Sequence, residues 1–458
     1  MRFKKKILCI GAGYVGGPSM AMIAYKCPDY QVTVVDINSA RIDAWNSSQL
    51  PVFEPGLDNI VKKTRGKNLF FRTDIENQIK ENDIIFVSVN TPTKSYGAGA
   101  NMAADLQYVE KTARQILKFS QSSKIVVEKS TLPVKTALAM EKILSHAKGK
   151  IRFEVLSNPE FMAEGTAIGD LENPDRVLIG SRETKCGLKA RSRLVDIYTR
   201  WIPQDKIITS NIWSSELSKL VANAFLAQRV SSINSISALC EKTDADINEV
   251  AKAIGMDRRI GDKFLKAGIG FGGSCFKKDI LNLVYLCNYY GLREVASYWE
   301  NVIRINEYQR ERFINQILHS MFGTLAGKKL CILGFAFKAD TSDTRESPAL
   351  YITQKLMAEQ AEIVISDPRA LKNAKFDLAG AKGKVSFIED PYAAAANSHA
   401  VIVLTDWDVY RRLDFRRVYR SMIKPAFLFD GRNILDHRKC FSIGFNVYRI
   451  GKPALTHI

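Results

Sequence analysis

The stretch Phe271-Gly272-Gly273-Ser274-Cys275-Phe276-Lys277-Lys278-Asp279 sets a thiol behind two glycines, at the start of a helical pattern. The glycines let backbone approach a ligand closely. A helix N-terminus lowers a thiol pKa, and the thiolate is the nucleophile. Asp279 follows four residues later on the same helix face, where a carboxylate can orient or deprotonate water. A cysteine in isolation is more often a small core residue. Cys9 and Cys331, in strand-like runs, and Cys240 and Cys287, in helical ones, read that way.

Two other stretches change the balance for Cys275. Leu156-Ser157-Asn158-Pro159-Glu160-Phe161-Met162-Ala163-Glu164-Gly165 follows a strand pattern and carries two carboxylates. In Ser214–Ala224, Lys219 and Asn223 stand at i and i+4 on one helix face. A cation and an amide donor so placed can stabilise an alkoxide or oxyanion. Glu216 and Lys219 also suit an exposed helix surface, but Leu217, Leu220, Val221, Ala224 and Phe225 make the helix apolar enough to expect burial.

A cofactor site is expected at Gly11-Ala12-Gly13-Tyr14-Val15-Gly16, a G-x-G-x-x-G after a first strand and before a helix. Gly11 permits the tight turn, Gly13 admits a pyrophosphate and Gly16 lets helix and strand pack closely. The helix N-terminus then holds the phosphates. Asp36 ends the second strand about 20 residues on, where it accepts from ribose hydroxyls and repels an extra phosphate, favouring NAD over NADP. Ser88-Val89-Asn90-Thr91-Pro92-Thr93 and Glu128-Lys129-Ser130-Thr131 close two further strands at the same edge, though such hydroxyls also serve as plain helix caps.

These groups need a sheet to hold them. Strands are expected at Lys6–Ile10, Val32–Asp36, Ile84–Val89, Lys124–Glu128 and Glu154–Ser157, alternating with helices. From Trp213 the pattern turns helical, with long stretches at Glu216–Glu241 and Lys278–Tyr290. Strands resume at Lys328–Gly334, Glu362–Ser366, Ala400–Leu404 and Ala426–Phe429. The fold expected is α/β, with two Rossmann-like doubly wound domains (1–212 and 326–458) joined by a helical central domain (213–325). At 458 residues the chain exceeds one core. The second α/β domain opens on Gly334-Phe335-Ala336-Phe337-Lys338, which lacks the fingerprint, so no second dinucleotide is expected there.

Lys plus Arg number 66 against 48 Asp plus Glu, a net charge of +18, yet no dense basic block or nucleic-acid motif accompanies it. A basic solvated surface or an anionic small substrate fits better than nucleic acid. No apolar run reaches membrane-spanning length. The basic N-terminus runs into a short strand rather than a signal peptide, so a cytoplasmic protein is expected. Five histidines without ligand spacing argue against a metal site.

The motifs GAGYVGGP, FEPGL, RGKNLFF, VNTPTK, EKST, LSNPEF, NPDRVLIG, WSSELSKL, ANAFLAQR, GFGGSCF, GFAFK and DTRESPA together resemble the UDP-glucose/GDP-mannose dehydrogenase family, and its animal UDP-glucose-oxidising members in particular. The resemblance implies four-electron oxidation of UDP-glucose to UDP-glucuronate, with NAD as cofactor and two NADH per turnover. A thiohemiacetal and then a thioester would form on Cys275. It gives oxyanion stabilisation to Lys219 and Asn223, water activation to Asp279 and proton transfer to Glu160.

The same resemblance adds Tyr14, Val15, Arg41, Val89, Asn90, Thr91, Ser130, Thr131, Glu164 and Arg345 to the cofactor contacts. It gives the sugar nucleotide Glu160, Phe161, Met162, Ala163, Glu164, Lys219 and Asn223. Phe271, Gly272, Phe337, Lys338 and Arg432 join them, with Lys266 on an enclosing loop and Arg259 supplied to a neighbouring subunit. Taken singly, Lys338 and Arg432 also suit surface ion pairs. A homo-oligomer is implied, with a dimer as unit on the helix near Trp213–Glu241; animal members form hexamers. Gly97–Met102 and Arg369–Lys384 depart from the animal pattern. Close alternatives are a dehydrogenase for a UDP-N-acetylhexosamine or GDP-mannose, and a silent nucleotide-sugar-binding protein.

Overall fold

The computed structural model describes residues 3–458. Two compact units divide them: residues up to Ala222 with Leu281–Tyr290, and Asn223–Ile280 with Gly291–Ile458. Helices of the middle segment are shared between the two.

The first unit is built on eight strands: β1 Lys5–Ile10, β2 Tyr30–Val35, β3 Leu69–Arg72, β4 Ile84–Val87, β5 Lys124–Glu128, β6 Phe153–Ser157, β7 Val177–Ser181 and β8 Ile207–Asn211. Their order is β3-β2-β1-β4-β5-β6-β7-β8. The chain reverses its direction of sheet-building between β1 and β4, which opens a crevice at the carboxyl ends of those strands. β1, β4 and β5 are apolar runs covered on both faces, as a parallel sheet requires. Alternate residues feed two cores. Ile7, Cys9, Phe86 and Val127 face one, and Leu8, Ile10, Val87 and Val126 face the other.

The second unit holds β9 Lys329–Leu333, β10 Glu362–Ser366, β11 Val385–Phe387, β12 Ala400–Val403, β13 Phe427–Asp430 and β14 Asn446–Arg449. They lie in the order β11-β10-β9-β12-β13-β14, every pair parallel. The α/β class, with two sheets and a helical segment between them in sequence, is as expected. Among the described residues no helix is long and apolar enough to cross a membrane.

Several details differ from expectation. β3, β7, β8, β11 and β14 were not anticipated; β8 and β11 are short and largely solvent-facing, so they carry no apolar run. β7 runs antiparallel to β6, joined through the single pair Ser157↔Gly180. The helix Arg293–Ser320 falls inside the expected helical segment, although charged residues interrupt its apolar stripe. The helix over the WSSELSKL motif runs Ile212–Cys240. Glu216, Lys219, Leu220, Asn223 and Ala224 on it are buried, but Leu217 and Phe225, read as part of its buried face, are 40% and 55% exposed.

The two sheets treat the acid after their second strand differently. Asp36 accepts from Ala12 N and Asn38 N at 2.9 Å each and from Arg41 at 3.1 Å. Asp367 accepts from Phe335 N, Ala336 N, Arg369 N, Ala370 N and Trp407 Nε1. A carboxylate offers about four lone-pair sites, so Asp367 is saturated by the turns after β9 and β10 and by Trp407, which is a structural role. Asp367→Ala strands these buried donors and is expected to cost roughly 3 kcal/mol or more, read as a fall in the urea midpoint at unchanged slope.

Candidate functional site

The glycine-rich turn has the shape a dinucleotide needs. Gly11 adopts φ 111°, and a Cβ there would lie 2.2 Å from the Ser88 carbonyl oxygen. A Cβ on Gly16 would lie 2.0 Å from the Gly11 oxygen, so helix and turn touch backbone to backbone. At Gly13 a Cβ would meet nothing within 4 Å, which leaves the approach to that peptide open. Helix Gly16–Lys26 has no capping side chain and no acid in its first turn among the described residues, so its amide end suits phosphate. Asp36, buried and gripping Ala12, sits where the ribose fingerprint requires. The residues fit NAD.

The other expected cofactor contacts of this unit collect at neighbouring strand ends. Ser130 Oγ donates to the Val89 carbonyl at 2.7 Å and Thr91 Oγ1 to that of Thr131 at 3.2 Å. Asn90 is exposed beside them. Tyr14 reaches the Phe53 carbonyl, and Arg41 is held by Asp36.

Beyond β5 the chain places a buried cation. Lys129 Nζ lies 2.7 Å from Glu160 Oε2, with Asn158 Oδ1 at 3.2 Å and the Tyr198 hydroxyl at 3.3 Å. Side-chain exposures are 3% for Lys129 and 14% for Glu160, so water does little to screen the pair. Glu160 also accepts from Phe161 N and Met162 N. Burial pushes its carboxyl up, but the Lys129 ammonium, these amides and Lys219 outweigh that and hold it below the usual range. Burial likewise works against the Lys129 charge, and Glu160 and Tyr198 more than restore it.

The loop carrying Glu160, Phe161, Met162, Ala163 and Glu164 is pinned at its far end by Glu54, which accepts from Gly165 N at 2.8 Å and Ala167 N at 3.1 Å. Lys219 Nζ stands 5.2 Å from the centre of the Phe161 ring. Glu160, Phe161 and Lys219 therefore form one cluster within the first unit.

In the second unit, the Cys275 carbonyl accepts the Asp279 amide at 2.9 Å, making Cys275 the residue that caps helix Phe276–Tyr289. Of eight cysteines, six are buried; only Cys186 and Cys275 reach solvent. Burial pushes the thiols of Cys9, Cys331 and Cys440 up to about 12, which keeps them inert at neutral pH. Asp279 is buried and accepts from Asn223 Nδ2 at 2.6 Å, so helices Ile212–Cys240 and Phe276–Tyr289 are joined beside the thiol.

Phe271 packs edge-on against Phe276; a Cβ on Gly272 would meet the Glu346 carbonyl, Pro348 and Phe337, and one on Gly273 the Phe337 ring. Arg432 is anchored to the carbonyls of Leu404, Phe337 and Gly270. Lys338, half-buried, lies beside the Phe337 ring. Arg345 pairs with Asp343 at 2.6 Å. Lys266 and Arg259 are exposed and stay outside this cluster, Arg259 in a salt bridge with Asp257. No group of three or more metal-ligating side chains is assembled among the described residues.

Comparison with known proteins decides the family. Residues 5–202 match the NAD binding domain of the UDP-glucose/GDP-mannose dehydrogenase family, 213–308 its central domain and 331–437 its UDP binding domain. The chain belongs to the UDP-glucose/GDP-mannose dehydrogenase family. It is an NAD-dependent oxidoreductase of that family. A UDP-glucose 6-dehydrogenase of Oryza sativa subsp. japonica is 59% identical over 468 residues, and one of Arabidopsis thaliana 59% over 466, each match covering 98% of this chain and 97% of the relative. A UDP-glucose dehydrogenase structure from Pyrobaculum islandicum superposes with TM-score 0.86 at 30% identity, over 99% of both chains.

Within this family frame, Lys129 and Glu54 are site-shaping residues that sequence reasoning passed over, although both lie in quoted motifs, EKST and FEPGL. The signal was available for Lys129. A lysine directly after a strand buried along its whole length must find a buried anion. The depressed Glu160 pKa means its charge stabilises the fold above the ordinary carboxylate range, and that contribution is lost as pH falls through its own lower value. Lys129→Met removes the strongest influence that opposes burial at Glu160. The acid limb of the kcat–pH profile should move up by about one unit or more, and an unmoved limb would show that Lys129 does not set the charge on Glu160.

Proposed function

We propose that the chain oxidises UDP-glucose to UDP-glucuronate through a covalent thioester on Cys275. The observation that carries this is an exposed thiol capping a helix, with a buried carboxylate one turn on that is held by an amide from a second helix. The plant relatives near 59% identity over almost their whole length support the same reading, and the shared motifs support likeness to the animal enzymes.

When bound, NAD takes up a hydride, and the overall four-electron change consumes two NAD per sugar. The C6 alcohol first becomes an aldehyde. Cys275 Sγ adds to its carbon, giving a thiohemiacetal that keeps the reactive aldehyde from escaping. A second two-electron oxidation of that carbon gives the thioester. Water adds to it, the C–S bond breaks, and Cys275 leaves as thiolate with glucuronate as product. Lys219 and Asn223, one turn apart, offer an ammonium and an amide donor to the oxyanion. Asp279 takes the proton of the attacking water, and Glu160, kept ionised by Lys129, assists that transfer. Arg432 and Lys338 serve the acidic nucleotide, Lys266 belongs to a loop that encloses it, and Arg259 is supplied to a neighbouring subunit's sugar site.

A homo-oligomer with a dimer as its unit is part of this reading. Its support is helix Ile212–Cys240, which exposes Phe225, Ile236 and Leu239 along its length; sedimentation velocity reads the assembly directly, and a monomer would remove it. A cytoplasmic location is also proposed, because all eight cysteines are carried as thiols, which suits a reducing compartment.

The test is NADH counted per UDP-glucose consumed. Two are expected, with no turnover by Cys275→Ser beyond slow release of trapped product. Inertness towards UDP-glucose together with turnover of a UDP-N-acetylhexosamine or GDP-mannose would move the chain to another substrate.

A further inference from the structure

Strand β5 ends on Glu128, and Lys129 follows it, the two charged side chains meeting different partners. Lys129 meets Glu160. Glu128, 1% exposed, lies close enough to Glu216, 3% exposed, for each carboxyl to act on the other. Glu216 is well supplied with donors: Lys135 N reaches Oε2 and Ala137 N reaches Oε1, both at 2.8 Å. It thereby caps helix Thr136–Leu144, whose preceding residue Lys135 holds a left-handed backbone, φ 75°. Neither carboxyl oxygen of Glu128 receives an N–H or O–H from the described residues.

Charge counting around the pair points the same way. Glu141 faces it from helix Thr136–Leu144 and is neutralised by a bidentate contact with Arg182 from the segment after β7. Arg182 in turn lies over the Trp213 ring in the first turn of helix Ile212–Cys240. The Lys135 ammonium is directed to the Tyr290 ring. Three buried or half-buried carboxyls thus share one guanidinium and one helix N-terminus. An unpaired buried carboxylate is too costly to persist.

We propose that Glu128 carries a proton and donates it in a hydrogen bond to the Glu216 carboxylate, so that the two form an acid–carboxylate clasp that positions Lys219. The clasp fixes the first turn of helix Ile212–Cys240 to helix Thr136–Leu144, and Ser215 Oγ to Ser157 Oγ at 3.0 Å braces the same turn against β6. Lys219 follows Glu216 by three residues, so its ammonium is set by how that turn is seated. Burial and the neighbouring Glu216 and Glu141 charges raise the Glu128 carboxyl well above the usual range, in keeping with a group that is neutral at pH 7. The role given to Lys219 rests on the reaction proposed above; the clasp itself does not.

The test compares Glu128→Gln, which keeps a donor and cannot ionise, with Glu128→Leu, which has no donor. A carboxyl with a raised folded pKa contributes stability at low pH and loses it as pH rises through that value. The thermal midpoint of Glu128→Gln should therefore approach that of wild type only at the acid end of the range, and its advantage over wild type should grow steadily from about pH 5.5 towards pH 9, with kcat at pH 6.5 within about twofold. Glu128→Leu should lose roughly 10- to 100-fold in kcat, at unchanged KM for NAD, with faster amide exchange at Lys135 and Ala137. Damage to Glu128→Gln equal to that of Glu128→Leu at pH 6.5, or a midpoint difference that ignores pH, overturns the proton assignment. Unchanged kcat in Glu128→Leu overturns the positioning role. If Glu128→Leu does not fold, the pH dependence of the glutamine variant still decides the clasp. Absence of NADH formation by the wild type would instead defeat the proposed reaction, and the midpoint comparison would stand apart from it.

Discussion

The contact between Lys129 and Glu160 is what the first unit's chemistry hangs on. A lysine ammonium taken out of water needs an anion, and a loop carboxylate taken out of water needs a cation. Each is tolerated only because the other is 2.7 Å away. The pair fixes the loop after β6, and the loop in turn presents Phe161 to Lys219. It also sets Glu160's protonation, since a buried ammonium beside a carboxylate favours the ionised form.

Much of this was legible in the sequence where one residue type answers one physical demand. The glycines at 11, 13 and 16 and the acid at 36 are required by backbone geometry and by a ribose, and they appear where that geometry demands. Cys275 and Asp279 are related by one helical turn, so local spacing was enough. Lys219 and Asn223 were readable for the same reason. What stayed hidden depends on contacts between distant segments. Lys129 with Glu160, Glu54 with Gly165, and Glu128 with Glu216 span 31, 111 and 88 positions, and no local period announces them. The missed edge strands are short or solvent-facing, so their hydrophobic signal is weak. The exposure of Leu217 and Phe225 shows the converse, for an apolar residue on a buried helix can still face outward.

The two sheets also show how one architecture is divided between tasks. Both place an acid after the second strand, and both use it to grip the turn after the first. Asp36 accepts three hydrogen bonds, one of them from that turn, and Asp367 five, two of them from it. The first acid retains acceptor capacity for a ribose, and the second has been spent on the turns after β9 and β10 and on Trp407. The missing fingerprint at Gly334–Lys338 and the saturated acid are two views of the same difference.

The covalent route is most directly tested by the intact mass of enzyme quenched during turnover of UDP-glucose and NAD, using Asp279→Asn to slow hydrolysis. A species heavier by one UDP-glucuronyl group, mapping to the peptide that holds Cys275 and released by hydroxylamine, is the expected result. Enzyme found wholly at its unmodified mass while NADH continues to form would contradict it.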